Sequence, residues 1–231
     1  MIEYDLSPDI YAFTSGTGED QTADGSHLPF PVALPRQTHS DHIAWQTTAG
    51  REPDTDAVIT DVPGLCVAVK TADCIPVLLY DKRQKIVAAV HAGWKGTVQY
   101  IVSKTIRQMQ SRGEDLTAII GPGISLDSFE VGDEVYDRFK AEGFPMERIG
   151  KKYPLTTPLA SPEGRDRDRS HKWHLDLWEA NRWVLQQCGV TDIHIAGIDT
   201  MSSPDFYSAR RDTINTGRNL NGIMIVKGYR L

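Results

Sequence analysis

The clearest pattern along this chain is a series of short apolar, β-branched runs beginning near Asp56: "DAVIT", "GLCVAVK", "IPVLLY" and "KIVAAVH". Pro63-Gly64, Pro76 and the polar group Asp81-Lys82-Arg83-Gln84 punctuate them. Runs of this length, continuous rather than alternating, predict strands buried on both faces. "LTAIIGPGIS" predicts a further strand running into a Gly-Pro loop, and "DIHIAGI" and "NGIMIVKG" predict two closing strands. Helical spacing takes over from Thr97 to Gln110, with Val98, Ile101, Val102, Thr105, Ile106 and Met109 on one side and Gly113 as its stop. "GDEVYDRFKAEG" predicts a short glycine-ended helix. "DLWEANRWVLQQC" predicts an amphipathic one, with Asp176 as N-cap and Gly189 as the stop. Residues 15–29 are polar and turn-rich, and residues 142–171, rich in proline and ending in "RDRDRSH", predict an irregular excursion.

The element mix predicts an α+β protein with helices packed outside mixed sheets. No repeat of fixed period is present, and no second core-sized unit follows the excursion, so residues 1–231 are read as one domain. At this length a single domain buries roughly 70–75% of its unfolded surface.

Charge narrows the choice of partners. With a net charge of -6, the chain lacks the basic footprint of a nucleic-acid binder. The first residues, "MIEYDLSPDIYAF", hold neither a basic n-region nor a continuous apolar stretch, and no run approaches the roughly 18 apolar residues of a membrane helix. A cytoplasmic protein is expected. Three cysteines, Cys66, Cys74 and Cys188, do not make a disulfide framework. Each is then either a buried apolar residue or a reactive or ligating thiolate.

Three clusters offer chemistry: "LPRQTHSDHI" with His39 and His42, "KTADCIPVLLYD" with Asp73 and Cys74, and "VHAGWKG" with His91. Histidine and cysteine suit borderline metals, and a strand end before a glycine turn is a usual seat for a functional side chain. A packing or structural role is the competing reading for each. The separations of His39, Cys74 and His91 match no local zinc signature, so spacing alone does not bring them together. Asp54 and Asp56 read as turn and strand-start residues.

In order, "QTHSDHI", "DTDAVIT", "TADCIPVLLYD", "AAVHAGWKGT", "GPGISLDSFEVGDEV", "DLWEANRWVL" and "FYSARRDTINTGR" resemble the YfiH-like family. It is also called the laccase-domain or multicopper polyphenol oxidase family, and its members are described as purine nucleoside phosphorylases. The resemblance covers about Phe13 to Ile225. It implies a four-layer α/β/β/α sandwich and a catalytic metal set of His39, Cys74 and His91, holding zinc, with copper as the other option. Three departures stand out: serine follows His39 where the family more often has glycine, Met201 and Ser202 stand where it has Cys-Thr, and "TSGTG" replaces an early arginine motif.

On this resemblance the expected activity is phosphorolysis of adenosine, inosine and S-methyl-5'-thioadenosine, with adenosine deamination beside it. Purine nucleoside and phosphate are the expected partners. Gln37, Lys95, Arg210 and Arg211 are the candidates for substrate or phosphate contact. Lys95 leads a helix start whose free N–H groups suit an anion, and the arginines suit bidentate oxyanion recognition. The alternatives are a copper-dependent phenol oxidase, a cysteine hydrolase acting on cell-wall precursors with Cys74 as nucleophile, and a non-catalytic metal-binding interaction module.

Overall fold

The computed structural model describes residues 1–18, 28–154 and 171–226. Its elements in chain order begin with strands β1 (Ile2–Tyr4), β2 (Ile10–Thr14), β3 (Val32–Ala33), β4 (Ile43–Trp45), β5 (Ala57–Thr60), β6 (Cys66–Thr71), β7 (Ile75–Asp81) and β8 (Ile86–Ala92). Helices α1 (Trp94–Val98) and α2 (Ile101–Met109) follow, then β9 (Leu116–Ile120), β10 (Glu130–Val131), α3 (Asp133–Ala141) and α4 (Met146–Ile149). The chain continues through β11 (Gly150–Pro154), β12 (His171–Leu175), α5 (Leu177–Gln187), β13 (Asp192–Ile195), α6 (Ala209–Asp212) and β14 (Asn219–Ile225).

Two large mixed sheets stack. One runs β13-β9-β7-β8-β5-β4 and the other β1-β2-β14-β6-β3. Strand β7 shows why the apolar runs are continuous. Its Leu78 and Tyr80 meet Val67, Val69 and Ile223 of the second sheet, while Val77 and Leu79 face Ile101, Ile106 and Val184 on the helical side. Every residue of β7 and β8 is buried, because successive side chains alternate between two covered faces. On the outer face of the five-stranded sheet, Phe13, Cys66 and Met224 are covered by Leu28, Phe30 and Leu34 among the described residues.

Helix α5 ends as expected. The Asp176 carboxylate accepts from Glu179 N at 2.9 Å, and Gly189 takes the left-handed conformation, φ 79°. The expected single helix over Thr97–Gln110 is instead two, broken at Tyr100, whose φ is 62°. Tertiary packing decides this: the Tyr100 hydroxyl donates to Glu142 O at 2.6 Å and its ring stacks on Phe144. The α2 stop is Gln110 in the left-handed region, not Gly113. The expected excursion at 142–171 is regular through Pro154. Residues 146–149 are helical, and β11 pairs antiparallel with β12 from Gly150↔Leu175 to Pro154↔His171. These polar strands lack an apolar signature, and Trp173, stacked on Tyr136 at 3.7 Å, anchors them. The remainder of the excursion, 155–170, lies outside the described residues, as do 19–27 of the expected early loop.

Candidate metal centre

Two connections and the end of a strand deliver His39, Cys74 and His91 to one end of the six-stranded sheet. Strand β8 continues through Ala92, so His91 sits within it, paired opposite Pro76 of β7. Cys74 lies in the β6–β7 turn behind Asp73, whose φ of 85° is unusual for a non-glycine residue. His39, in the β3–β4 connection, also has positive φ, 62°. Strained backbone of this kind persists only where the surroundings hold it, and here they are identifiable. Asp73 accepts from Thr200 Oγ1 and from Arg210 N, both at 2.7 Å.

Asp56 holds the other half. Its fully buried carboxylate accepts from the backbone N–H groups of Thr38 (3.1 Å), His39 (3.1 Å) and Ser40 (2.8 Å), and from Ser40 Oγ at 2.8 Å. It also accepts from His91 Nδ1 at 2.6 Å. Burial pushes its pKa up, but the His91 contact and these donors outweigh that and hold it well below the usual carboxylate range. A strand-start role, expected from sequence, is therefore only part of what Asp56 does. The available signal was a carboxylate adjoining the buried run "AVIT", which requires internal partners.

One donor atom from each of His39, Cys74 and His91 lies within 4.8 Å of the others. Cys74 Sγ is 3.8 Å from His39 Nε2, and the two imidazole rings meet edge to face at 4.9 Å. His91 is buried, Cys74 half-buried and His39 exposed, so the set opens on one side. Burial opposes ionisation of the Cys74 thiol, yet the facing His91 and hydrogen bonds from both histidines draw it below the ordinary thiol range. Glycine is required beside it, since a Cβ on Gly93 would stand 3.0 Å from Cys74 Sγ and 3.2 Å from His39 Cδ2.

These residues fit a metal ion. The donor set is one thiolate and two imidazoles. The His91 Nδ1 is engaged by a carboxylate, leaving Nε2 for a ligand, as in carboxylate–histidine–metal arrangements. Among the described residues, His42, His171, His174 and His194 do not belong to this group, and His27 lies outside them. Cys66 is buried and burial pushes its thiol up to about 12, as suits a packing residue.

The set opens into a cavity of about 390 Å³. Gln37 lines it, with its amide clasping the Lys70 peptide: Nε2 donates to Lys70 O at 2.7 Å and Oε1 accepts from Lys70 N at 2.8 Å. The other substrate candidates stand elsewhere. Lys95 is exposed, with its Nζ 5.8 Å from the Trp94 ring centroid. The Arg210 guanidinium donates to Glu130 O. That of Arg211 is occupied by the Asp212 carboxylate and by the carbonyls of Thr200, Ser203 and Phe206. Neither Lys95, Arg210 nor Arg211 lines the cavity among the described residues. Arg36, Lys70 and Arg218, which also line the cavity, lie within the quoted stretches "LPRQTHSDHI", "KTADCIPVLLYD" and "FYSARRDTINTGR" but were not singled out, because nothing along the chain shows that these stretches meet; Arg51, a fourth lining residue, lies outside them.

Fold and site together define a class: a two-sheet α+β protein with an open His–Cys–His set, suited to a metal, at the mouth of a cationic cavity. The chain belongs to the family described as multi-copper polyphenol oxidoreductase laccase, whose model matches residues 20–226. It is 42% identical over 219 residues to a Bacteroides thetaiotaomicron protein named purine nucleoside phosphorylase, covering 87% of this chain and 76% of that one. It is 36% identical over 208 residues to adenosine deaminase RL5 of an unknown prokaryotic organism, covering 83% and 74%. The crystal structure of Neisseria meningitidis protein NMB0706 superposes with a TM-score of 0.78 at 27% identity, over 98% of this chain and 99% of that one. Among the described residues, no helix is long and apolar enough to cross a membrane.

Proposed function

We propose that this protein is a zinc-dependent purine nucleoside phosphorylase acting on adenosine, inosine and S-methyl-5'-thioadenosine, with adenosine deaminase activity in the same site. The observation that carries the reading is the convergence of His39, Cys74 and His91 on one cavity, in a chain 42% identical to a protein named for that activity. The proposed setting is the cytoplasm, where the free cysteines Cys66, Cys74 and Cys188 stay reduced.

Bound zinc supplies Lewis acidity. The chain's own residues prepare the site for it. Asp56 accepts a hydrogen bond from His91 Nδ1–H and so sets the tautomer. It also fixes the backbone that carries His39, and Gly93 leaves room for the thiolate. In phosphorolysis a phosphate oxygen bonds to the anomeric carbon as the bond from that carbon to purine N9 breaks. The base leaves with the electron pair and takes up a proton, and the sugar leaves as its 1-phosphate. In deamination a water oxygen bonds to purine C6 and ammonia departs.

The test is incubation of the zinc-loaded protein with inosine, with and without phosphate, and with adenosine alone. Hypoxanthine release that requires phosphate, and inosine formation from adenosine without it, are the expected results. Absence of both, with oxygen uptake on a phenol after copper loading, would replace this reading with the oxidase one.

A further inference from the structure

Two of the stretches that carry the family resemblance meet outside the His39–Cys74–His91 set. Asn181, of "DLWEANRWVL", sits inside α5 and is wholly buried, in the helix that also buries Leu177, Ala180, Val184 and Leu185. Its Nδ2 donates to Leu177 O at 2.8 Å and to Oγ1 of Thr97, in "AAVHAGWKGT", at 3.2 Å. Leu177 O can only accept, so the orientation of the amide is fixed. Its Oδ1 is then the one buried side-chain polar atom with no hydrogen-bond partner among the described residues. A buried acceptor without a donor forfeits its solvation, and asparagine is a poorer helix former than leucine. On packing and propensity alone, this position favours an apolar side chain.

Thr97 carries the contact on to the metal end of β8. It is itself buried. Its Oγ1 accepts from Asn181 and directs its own proton to Ala92 O, at 3.2 Å, while its N–H donates to Gly93 O at 2.8 Å. Nδ2 can only donate and Ala92 O can only accept, so this chain of bonds has one direction. A peptide unit turns as a plane, so holding Ala92 O sets the plane of the Ala92–Gly93 peptide. That peptide joins His91 to Gly93, where a Cβ would stand 3.0 Å from Cys74 Sγ and 3.2 Å from His39 Cδ2. A turn of the plane would shift His91 and the space at Gly93 together.

We propose that Asn181 and Thr97 are positioning residues for the metal centre, kept there at a cost to stability. The amide orients the Thr97 hydroxyl, the hydroxyl holds the Ala92–Gly93 peptide, and the peptide aligns His91 with Cys74 and His39. Neither side chain belongs to the ligand set. Their role rests on the reading of His39, Cys74 and His91 as metal ligands and is independent of the reaction that the metal serves.

The experiment compares wild type with Asn181→Leu, which keeps the shape and removes the polar group, with Thr97→Val, with the two combined, and with Thr97→Ser. Three quantities are read for each: the melting temperature without metal, zinc affinity by competition with a chromogenic chelator, and the thiolate-to-metal absorption band of the Co2+-loaded protein. Asn181→Leu is expected to melt no lower than wild type, yet to bind zinc about tenfold more weakly and to shift or weaken the Co2+ band. Thr97→Val is expected to reproduce both losses. The double variant is expected to be no worse than either alone, because one chain of bonds is broken once. Thr97→Ser keeps the hydroxyl and is expected to match wild type. Affinity and Co2+ band unchanged in Asn181→Leu and Thr97→Val overturn the proposal, as does full additivity in the double variant. If Asn181→Leu melts lower or does not fold, the cost to stability is refuted, and Thr97→Val against Thr97→Ser decides the positioning role by the same readouts. A wild type that binds neither zinc nor Co2+ refutes the ligand reading and this proposal together; normal binding in wild type with unchanged variants refutes this proposal alone.

Discussion

Asp56 Oδ1 stands 2.6 Å from His91 Nδ1, and the same carboxylate accepts the backbone N–H of His39 at 3.1 Å. One buried side chain thus positions two of the three candidate ligands, one through its ring and the other through its main chain. Asp56→Asn keeps the shape but replaces one acceptor oxygen with a donor. Metal affinity is expected to fall about 10- to 100-fold, read by competition with a chromogenic chelator. Unchanged affinity would mean that His91 needs no such partner.

The same carboxylate has a pH signature. Its folded pKa lies below the unfolded value of about 3.9, so the stability it contributes is complete above that value and is lost as pH falls through the folded one. Urea midpoints of metal-free wild type and Asp56→Asn are expected to differ at pH 7 and pH 5, then converge below about pH 4. A gap that widened on acidification would reverse the sign and refute the argument.

Gly93 has φ -63°, so alanine suits its backbone and the consequence of Gly93→Ala is steric. The new Cβ would press on Cys74 Sγ and His39 Cδ2 at 3.0 and 3.2 Å. Stability is expected to change by no more than about 1 kcal/mol, while metal retained after dialysis falls to a minor fraction. Elemental analysis beside a thermal melt checks both.

Cys74 and Cys66 separate by reactivity. In the metal-free protein, alkylation of Cys74 is expected to be half-maximal at about pH 6, below the ordinary thiol value of about 8.5. Cys66, buried and pushed up to about 12, is expected to stay unlabelled while the protein is folded. Peptide mass mapping across a pH series gives both results, and metal loading is expected to protect Cys74. A Cys74 midpoint near the ordinary value would show that His91 does not stabilise the thiolate.

Gln110 caps α2 with φ 54°, at an exposed position. Gln110→Gly relieves the left-handed strain and keeps the carbonyl that Gln84 Nε2 bonds. A gain of about 1 kcal/mol is expected, or roughly 2–4 °C in Tm. A lower Tm would mean that the Gln110 side chain contributes more than its backbone strain removes.

The sequence by itself determined the elements whose cause is local. Strands β5 to β9 were legible because burial on both faces leaves uninterrupted β-branched runs. Helix α5 was legible because Asp176 and Gly189 act on the backbone next to them. Its motifs also singled out His39, Cys74 and His91. Only the tertiary structure decided that these three meet, because that depends on how β7 pairs with β8, on where the turn from β6 of the other sheet enters β7, and on where Asp56 holds the β3–β4 connection. The break at Tyr100 and the β11–β12 hairpin come from side chains packing across distant segments, which no periodicity records. The cavity lining is a further case: Arg36, Arg51, Lys70 and Arg218 are far apart along the chain and meet only where the fold brings their segments around one cavity.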